Sequence, residues 1–239
     1  MSTMQVILTQ TDAPRLETGQ AHLYAVDLDE MQPSSALLEQ LLSRDERKRA
    51  EFYRIPLERR RYATGRAILR TILARYVPYT AEELRFDYGL HGKPSLSYQF
   101  NLDHLEFNLS RSHGQALYAI SKLGPVGVDI QKVEFTQQSM QIAQRVFSAE
   151  QVGQLRQANP SQRGELFCNW WTRGEAVAKA TGAGISTMAD QHPERWWVTT
   201  LLPSRGFVGA IAFHRKPDYV RWLSSDLSCV IRPRDGQLM

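Results

Sequence analysis

Two short segments of this chain combine polar side chains with a spacing that suits chemistry. The first is residues 126–131, where the alternation of a strand places three β-branched residues on one face and Gly127, Asp129 and Gln131 on the other. A carboxylate beside a glycine on the open face of a short strand can hold a hard cation and lets a ligand approach the backbone. The alternative is an edge-strand aspartate that faces water.

The second segment is residues 170–179, which the sequence places on a helix. Helical spacing stacks Trp171, Glu175 and Lys179 at positions i, i+4 and i+8. Small residues around them, among them Gly174 and Ala176, would allow another element to approach closely. Glu175 and Lys179 could equally form an ordinary surface ion pair worth about 0.3 kcal/mol. The segment by itself leaves both interpretations open.

The net charge of +4 is unevenly distributed along the chain. Residues 44–75 contain eleven basic and four acidic side chains, a balance of +7 that leaves −3 for the rest. Such a concentrated field attracts a polyanion: nucleic acid, an acidic protein surface or a multiply phosphorylated small molecule. A solvated helix face whose arginine stems cover apolar surface would carry the same charges.

Composition predicts an ordered globular protein. The 239 residues suit one large domain or two of about 120 residues, and the 42% apolar and 23% charged content is close to the globular average. We find no apolar run long enough to span a bilayer and no secretory signal. The cysteines, Cys168 and Cys229, are too few for a disulfide framework and lack the spacing of a zinc site. We therefore expect a cytoplasmic protein without membrane contact.

The elements that must position the two segments are mixed in type. Helices are predicted at 34–42, 43–53, 57–76, 139–147, 149–159 and 163–181, and strands at 22–28, 106–110, 115–121 and 126–131, with β-rich runs between 196 and 231. The arginines of the third helix, from Arg59 to Arg70, are assigned to its polar face. Because helices and strands alternate irregularly, we predict an α+β fold with antiparallel sheets packed with helices.

The middle of the chain contains its best internal boundary, Gly124-Pro125. The boundary predicts an N-terminal lobe of residues 1–123 and a C-terminal lobe of residues 124–239. Residues 65–70 and 174–179 share a weak pattern on the main helix of each half, which suggests a duplicated fold of two pseudo-symmetric lobes with similar topology.

Three motifs together resemble a known family. They are Phe107-Asn108-Leu109-Ser110-Arg111-Ser112, then Gly127-Val128-Asp129-Ile130, then Trp171-Thr172-Arg173-Gly174-Glu175-Ala176-Val177-Ala178-Lys179. They are similar to the three signatures of Sfp-type 4′-phosphopantetheinyl transferases. Further matches are the Gly92-Lys93-Pro94 turn, the basic segment 44–76 and the helix start at 147–150. The resemblance covers roughly residues 43–185, with all motifs in order.

The resemblance implies a fold, a reaction and a set of partners. It implies an active site between the lobes, with nucleotide binding in the N-terminal lobe and the metal site and carrier contact in the C-terminal lobe. It implies transfer of the 4′-phosphopantetheine arm of coenzyme A to a serine of an apo acyl or peptidyl carrier protein, with Mg²⁺ required and 3′,5′-ADP released. Such carriers serve fatty acid, polyketide and nonribosomal peptide biosynthesis. A monomer without nucleic-acid or membrane partners is expected.

The resemblance also implies residue roles. Asp129 and Glu175 match the Mg²⁺ ligands, and Gln131 stands at the remaining ligand position. Glu175, directly or through a metal-bound water, is the candidate for deprotonating the carrier serine. Lys179 matches the lysine that contacts the pyrophosphate and stabilises the leaving group, so Glu175, Lys179 and Asp129 form the expected catalytic set. The expected coenzyme A contacts are Lys48, Lys93, Ser110, Arg111 and Lys179. Residues 133–147 match the region that meets the carrier.

Three departures fall inside the motifs. Gln131 replaces a second acidic residue, which predicts weaker metal binding because one negative charge is lost. Arg111 replaces the histidine of the first motif, and arginine is also a good phosphate ligand. Gly174 replaces a lysine and removes a cation near the site. A chain that binds coenzyme A or the carrier without efficient transfer is therefore the alternative, and a nucleic-acid-binding protein is a remote one.

Overall fold

Side-chain caps set the ends of the helices. Ser43 and Glu46 form the predicted capping box, in which each side chain accepts the backbone N–H of the other residue. Gly182 ends the last helix with a left-handed φ of 72°. Within residues 15–182 and 195–223, which this computed structural model describes, the helices are α1 (Ser35–Leu41), α2 (Arg44–Glu51), α3 (Pro56–Leu73), α4 (Gln137–Val146), α5 (Ala149–Gln157) and α6 (Pro160–Thr181).

The strands of the described residues form two main sheets and one small hairpin. The strands are β1 (Gln20–Asp27), β2 (Phe86–Tyr88), β3 (Pro94–Leu96), β4 (Glu106–Ser112), β5 (Gln115–Ser121), β6 (Val126–Lys132), β7 (Trp197–Leu201), β8 (Phe207–Phe213) and β9 (Tyr219–Leu223). The first sheet has the order β4-β5-β1-β9, the second β6-β8-β7, and β2 pairs with β3. The predicted α+β class with antiparallel sheets is confirmed, except that β9 runs parallel to β1. The predicted β-rich run at 227–231 and Cys229 lie outside the described residues.

The two halves of the chain repeat one connectivity. In each half a first strand leads into three α-helices, and a later hairpin supplies a second strand that pairs antiparallel with the first strand. The first half differs in that the small β2–β3 hairpin stands between its helices and this hairpin. The resulting orders, β1-β5-β4 and β6-β8-β7, correspond strand for strand. Gly124, with φ 116°, lies between the halves. Since β9 returns from the second half to the first sheet, the division at residues 123 and 124 into separate lobes stays a prediction.

The core of the molecule joins the two sheets. Val126, Val128 and Ile130 are fully buried, as the alternation of β6 predicts. They pack in one cluster with Leu23 of β1 and Leu117 of β5. A separate cluster lies between α3 and the first sheet. Among the described helices, none combines the length and the hydropathy that a membrane span requires.

The polar face assigned to α3 is partly wrong. Arg66 is 6% exposed and Arg70 is 1% exposed, and both guanidinium groups bond the buried carboxylate of Glu46 on α2. Arg59 and Arg60 remain exposed. The reason is that Glu46 neutralises part of the arginine charge and supplies acceptors, which permits burial that an unpaired arginine would resist.

Candidate active site

The two sheets meet along β4 and β6, where side chains bridge the backbones. Asn108, Ser110 and Ser112 of β4 accept backbone N–H groups of β6 at 3.0–3.4 Å. The donors are Val128, Ile130 and Lys132. Because alternate side chains of a strand point the same way, this pattern fixes the register of β4 against β6. It also brings Ser110 beside Asp129.

Asp129 is 2% exposed, and three side chains surround its carboxylate. The Ser110 hydroxyl donates to Oδ1 at 2.7 Å, and the Lys179 ammonium donates to the same oxygen at 2.6 Å. Gln131 Nε2 lies 3.3 Å from Oδ2. Lys179 also donates to Ser110 Oγ at 2.8 Å. The four residues named from the motifs are therefore brought together in the structure.

Glu175 lies one helical turn before Lys179 on α6 and is 6% exposed. Its Oε1 is buried and has no hydrogen-bond partner among the described residues. Burial, and after it the charge of Asp129, raise the pKa of Glu175 to about 7, while Lys179 acts in the opposite direction. A carboxyl group that titrates near neutral pH is suited to proton transfer.

Gly127 serves packing, and the expected open face of β6 is wrong. A Cβ atom at Gly127 would lie 1.9 Å from the carbonyl oxygen of Ala176 and 2.5 Å from the backbone nitrogen of Ala180. The missing side chain therefore lets α6 lie directly against β6. Asp129, on the same side of the strand, is covered by this contact and does not face water as an edge-strand aspartate would.

The residues at this site fit a divalent cation. Magnesium prefers oxygen ligands and usually keeps several waters, so a few protein groups suffice. Asp129, Glu175 and Gln131 offer two carboxylates and an amide, and the unpartnered buried Oε1 of Glu175 is an oxygen that a cation would satisfy. Within the described residues, no cluster of three or more histidine, cysteine, aspartate or glutamate side chains occurs.

A cavity of about 560 Å³ opens in front of these residues, between the two halves. Glu175 and Lys179 line it from α6, and Lys93 lines it from the β2–β3 hairpin. The remaining charged side chains of its wall are all basic: Arg49, Arg66 and Arg111. A second cavity of about 480 Å³ adjoins it, shares Arg49, Tyr53, Tyr62 and Tyr88, and is also lined by the acidic Asp45 and Glu46 and the basic Lys48. A cavity with this lining is suited to an elongated, multiply charged anion.

The expected coenzyme A contacts occupy different parts of these walls. Lys48 lines the second cavity, beside Arg49. Ser110 is buried within the Asp129 cluster, next to the cavity. Lys93 donates to the carbonyl oxygens of Val126 at 3.3 Å and Ala180 at 3.0 Å. In this conformation Lys93 ties the hairpin to the second half of the chain, and burial lowers its pKa.

Arg111, which stands where the family has histidine, is held by two tyrosines. Its guanidinium lies 5.3 Å from the centre of the Tyr62 ring, and its Nη2 lies 3.5 Å from the Tyr53 hydroxyl. A Cβ at Gly65 would be 3.1 Å from Cδ of Arg111, so the glycine gives the side chain room along α3. The substitution keeps a cation in the cavity wall.

The region expected to meet a carrier protein packs largely into the molecule. Phe135, Met140 and Ile142 are half-buried in a cluster with Phe167 and Trp171 of α6. Gly174 lies inside α6 and is half-buried. The apolar side chains of 133–147 therefore have a structural role in addition to any contact with a partner.

Sequence reasoning missed several wall residues. Tyr53 and Tyr88 belong to segments that resemble the family, but the sequence assigns no role to either, and it places Tyr62 on the apolar face of α3. Asn108 appears only as part of the first motif. Arg66 was assigned to the solvent. One signal was available for Arg66: it lies among apolar residues of α3 in a segment where Ala67, Ile68 and Leu69 are buried as well. The partner that permits its burial, Glu46, is twenty residues away and no local pattern indicates it.

The chain is similar in sequence to a known family and to several of its members. The family model described as the 4′-phosphopantetheinyl transferase superfamily matches residues 125–228. The 4′-phosphopantetheinyl transferase HetI of Nostoc is 34% identical over 212 residues, covering 82% of this chain and 89% of the relative. The 4′-phosphopantetheinyl transferase psf-1 of Bacillus pumilus is 31% identical over 170 residues, covering 69% and 70%. Sfp of Bacillus subtilis is 27% identical over 131 residues, covering 55% and 56%.

The similarity to HetI extends over most of both chains and includes the segments that supply Ser110, Asp129, Glu175 and Lys179 in one cluster. On these grounds the chain belongs to the 4′-phosphopantetheinyl transferase superfamily.

Proposed function

We propose that this protein transfers the 4′-phosphopantetheine arm of coenzyme A to a serine of an apo acyl or peptidyl carrier protein. In this reaction the serine oxygen attacks the phosphorus on the pantetheine side of the pyrophosphate. A new P–O bond forms, the bond to the bridging oxygen breaks, and 3′,5′-ADP leaves. The proposal includes a requirement for Mg²⁺ and a location in the cytoplasm. It also includes a monomeric enzyme, since one chain supplies both walls of the cavity.

The observation that carries this proposal is the cluster of Asp129, Ser110 and Lys179 beside the unpartnered carboxylate of Glu175. These groups lie at the end of a cavity whose other charges are basic. Coenzyme A brings a pyrophosphate and a 3′-phosphate. Transfer of a phosphoryl-linked group from a pyrophosphate to a hydroxyl requires positioning and neutralisation of charge more than covalent participation by the protein.

Glu175 is the proposed general base. A carboxyl with a pKa of about 7 is about half ionised at neutral pH, and the ionised form can accept a proton. Because Oε1 is the oxygen that would meet the cation, the other carboxylate oxygen of Glu175 is the one proposed to receive the proton of the carrier serine. The proton thus passes from the serine hydroxyl to the Glu175 carboxylate as the new bond forms.

Lys179 is the proposed electrostatic partner of the pyrophosphate. It is 29% exposed at the cavity wall, while its other side bonds Asp129 and Ser110. This anchoring holds the ammonium in place before the substrate arrives, so little reorganisation is needed when negative charge builds on the leaving phosphate. Ser110 acts through these bonds and not as a nucleophile, because the acceptor hydroxyl belongs to the carrier.

Asp129, Glu175 and Gln131 are the proposed magnesium ligands. When bound, the ion supplies positive charge to phosphate oxygens. Arg49, Lys48 and Lys93 are the proposed contacts for the remaining phosphates, and Arg111 takes the part of the family histidine. These roles rest on their position along the two cavities.

The proposal is tested by incubating the protein with coenzyme A, Mg²⁺ and a panel of apo carrier proteins, followed by intact-mass measurement. A gain of one phosphopantetheine arm, lost with EDTA or in Glu175→Gln, is the expected result. Glu165, exposed on the same helix, provides the matched control Glu165→Gln, which should retain the full mass gain.

The alternative is a protein that binds coenzyme A without efficient transfer. The departures at Gln131, Arg111 and Gly174 are its basis. Coenzyme A binding measured by calorimetry, together with no mass gain on any carrier, would support this alternative over the transferase. Restoring glutamate, histidine and lysine singly at the three positions would then identify the responsible substitution.

A further inference from the structure

A buried charge cluster borders the second cavity and includes no residue of the three motifs. At its centre is Glu46, which is 2% exposed. Its carboxylate accepts bonds from Arg66 Nε at 2.6 Å and from Arg70 Nε at 2.7 Å. It also accepts the backbone N–H of Ser43 at 2.9 Å. One side chain thereby joins the start of α2 to the middle of α3.

The two arginines extend these connections to the β2–β3 hairpin. Their guanidinium carbons lie 4.7 Å and 5.1 Å from the centre of the Phe86 ring, so both contact the first residue of β2. Arg70 donates to the carbonyl oxygens of Ala81 and Leu84, just before this strand. Arg66 Nη2 lies 3.2 Å from the hydroxyl of Tyr88, which lines both cavities.

The elements joined by Glu46 are the ones that form the basic wall. Helix α2 carries Lys48 and Arg49, and the hairpin carries Tyr88 and Lys93. Apart from Glu46, the hydrogen bonds at the start of α2 are local to its own cap or to the segment before it. We propose that Glu46 is a positioning residue for coenzyme A binding. It holds α2 in place directly, and it holds Tyr88 in place through Arg66. Together these contacts set the distance between α2 and Tyr88 that the nucleotide end of the substrate requires.

This inference rests on the proposed function, and the sign of the charge effect separates positioning from simple electrostatics. Glu46 is negative and lies close to a cavity for an anion. If it acted through its charge alone, Glu46→Gln would strengthen the binding of coenzyme A, because a repulsive charge is removed. If it acts by position, the same change weakens binding. Glu46→Asp retains the charge but shortens the reach, so only the positioning role predicts weaker binding in both variants.

The experiment measures binding of coenzyme A and of 3′,5′-ADP by calorimetry in the full chain, with steady-state kinetics on an apo carrier protein. We expect both Glu46 variants to raise the Kd and the KM for coenzyme A by about tenfold, with kcat and the KM for the carrier changed by less than about twofold. Glu51→Gln, an exposed change of the same charge on α2, is the matched control and should bind as wild type does.

The outcomes are distinguishable. Wild-type protein that fails to bind coenzyme A overturns the proposed function and this inference with it. If the wild type binds coenzyme A, and Glu46→Gln and Glu46→Asp bind it with equal or higher affinity, the positioning role alone is overturned. A fall in kcat at constant KM would indicate fewer folded molecules and also counts against it. If neither variant folds, Tyr88→Phe decides, since it removes the contact with Arg66 outside the buried cluster. An affinity equal to wild type in that variant overturns the inference.

Discussion

The ammonium of Lys179 lies 2.6 Å from Oδ1 of Asp129, joining α6 to β6 across the contact that Gly127 permits. Both groups also bond the Ser110 hydroxyl from the other half of the chain. The charge of the buried Asp129 carboxylate is thus balanced by one lysine. Beside it lies the carboxylate of Glu175, whose Oε1 has no hydrogen-bond partner among the described residues. The relationship leads to several tests.

Removing the lysine should destabilise the protein. In Lys179→Met the buried carboxylate of Asp129 loses its ion-pair partner, and we expect the free energy of unfolding to fall by about 1–3 kcal/mol, less than for a fully buried pair because Lys179 is partly exposed. Urea denaturation measures this change. The control is Lys122→Met, which breaks the more exposed pair with Asp103 and should cost about 0–1 kcal/mol. Equal losses in the two variants would contradict the role of the buried pair.

Removing the proposed base should separate binding from catalysis. Glu175→Gln keeps the size of the side chain and an oxygen that could still meet Mg²⁺, but it cannot accept the serine proton, so kcat at saturating Mg²⁺ should fall by about 10²–10⁴-fold. Coenzyme A binding should change far less, because the basic walls are intact. Single-turnover mass measurements with an apo carrier give the rate, and calorimetry gives the affinity. Activity within tenfold of wild type would exclude Glu175 as the base.

Restoring an acidic residue beside Asp129 should strengthen metal binding. Gln131→Glu adds a negative charge at the proposed ligand set, and we expect the Kd for Mg²⁺ to fall by about tenfold, since ligand charge tunes the affinity for hard cations. Titration followed by calorimetry, without coenzyme A, measures this. Gln138→Glu, an exposed change of the same charge on α4, is the control and should leave the Kd unchanged. An equal fall of the Kd in both variants would indicate that the added charge attracts Mg²⁺ through the general electrostatic field and not as a ligand.

The close approach of β6 and α6 should not tolerate a side chain at Gly127. Gly127→Ala places a methyl group 1.9 Å from the Ala176 carbonyl oxygen, so backbone must move. We expect a loss of about 3 kcal/mol or more in the free energy of unfolding, at the upper end of overpacking effects. Gly153→Ala is the contrast, because nothing lies within 4 Å of its Cβ and alanine favours the helix. Thermal unfolding should show a lower Tm for the first variant and an equal or higher Tm for the second.

Acid should destabilise the fold through His22. Burial, and then the charges of Arg221 and Arg75, lower the pKa of His22 from 6.5 to about 4. Its Nδ1 lies 2.8 Å from the Tyr76 hydroxyl. As pH falls from 6.5 towards 4, the unfolded chain binds a proton that the folded protein does not, so stability present above pH 6.5 is lost by about 2–3 kcal/mol.

The measurement for His22 is urea denaturation at a series of pH values. Subtracting the curve of His22→Gln should leave a difference that grows as pH falls below 6.5, because other titrating groups are common to both proteins. The exposed His214 provides the control variant His214→Gln, whose curve should run parallel to wild type. A His22→Gln curve that is parallel as well would mean that His22 takes up its proton in the folded state.

The sequence by itself determined the local elements and the identity of the cluster. Two helix ends could be predicted: the start at Ser43 with its capping partner Glu46, and the end at Gly182. The reason is that capping depends on neighbours within four residues. The alternation of β6 predicted its buried face. The resemblance of the motifs to the family signatures implied that Asp129, Glu175 and Lys179 act together and that Ser110 lies beside the substrate, whereas the spacing of each motif alone left its role open.

Only the tertiary structure decided how these residues are arranged. The pairing of Asn108, Ser110 and Ser112 with the backbone of β6 spans twenty residues and depends on two sheet edges meeting. Burial of Arg66 depends on Glu46 from another helix. The return of β9 to the first sheet is equally non-local. Side-chain periodicity reports which face of an element is apolar, but charge pairs and sheet edges depend on distances between elements, and these are set when the core packs.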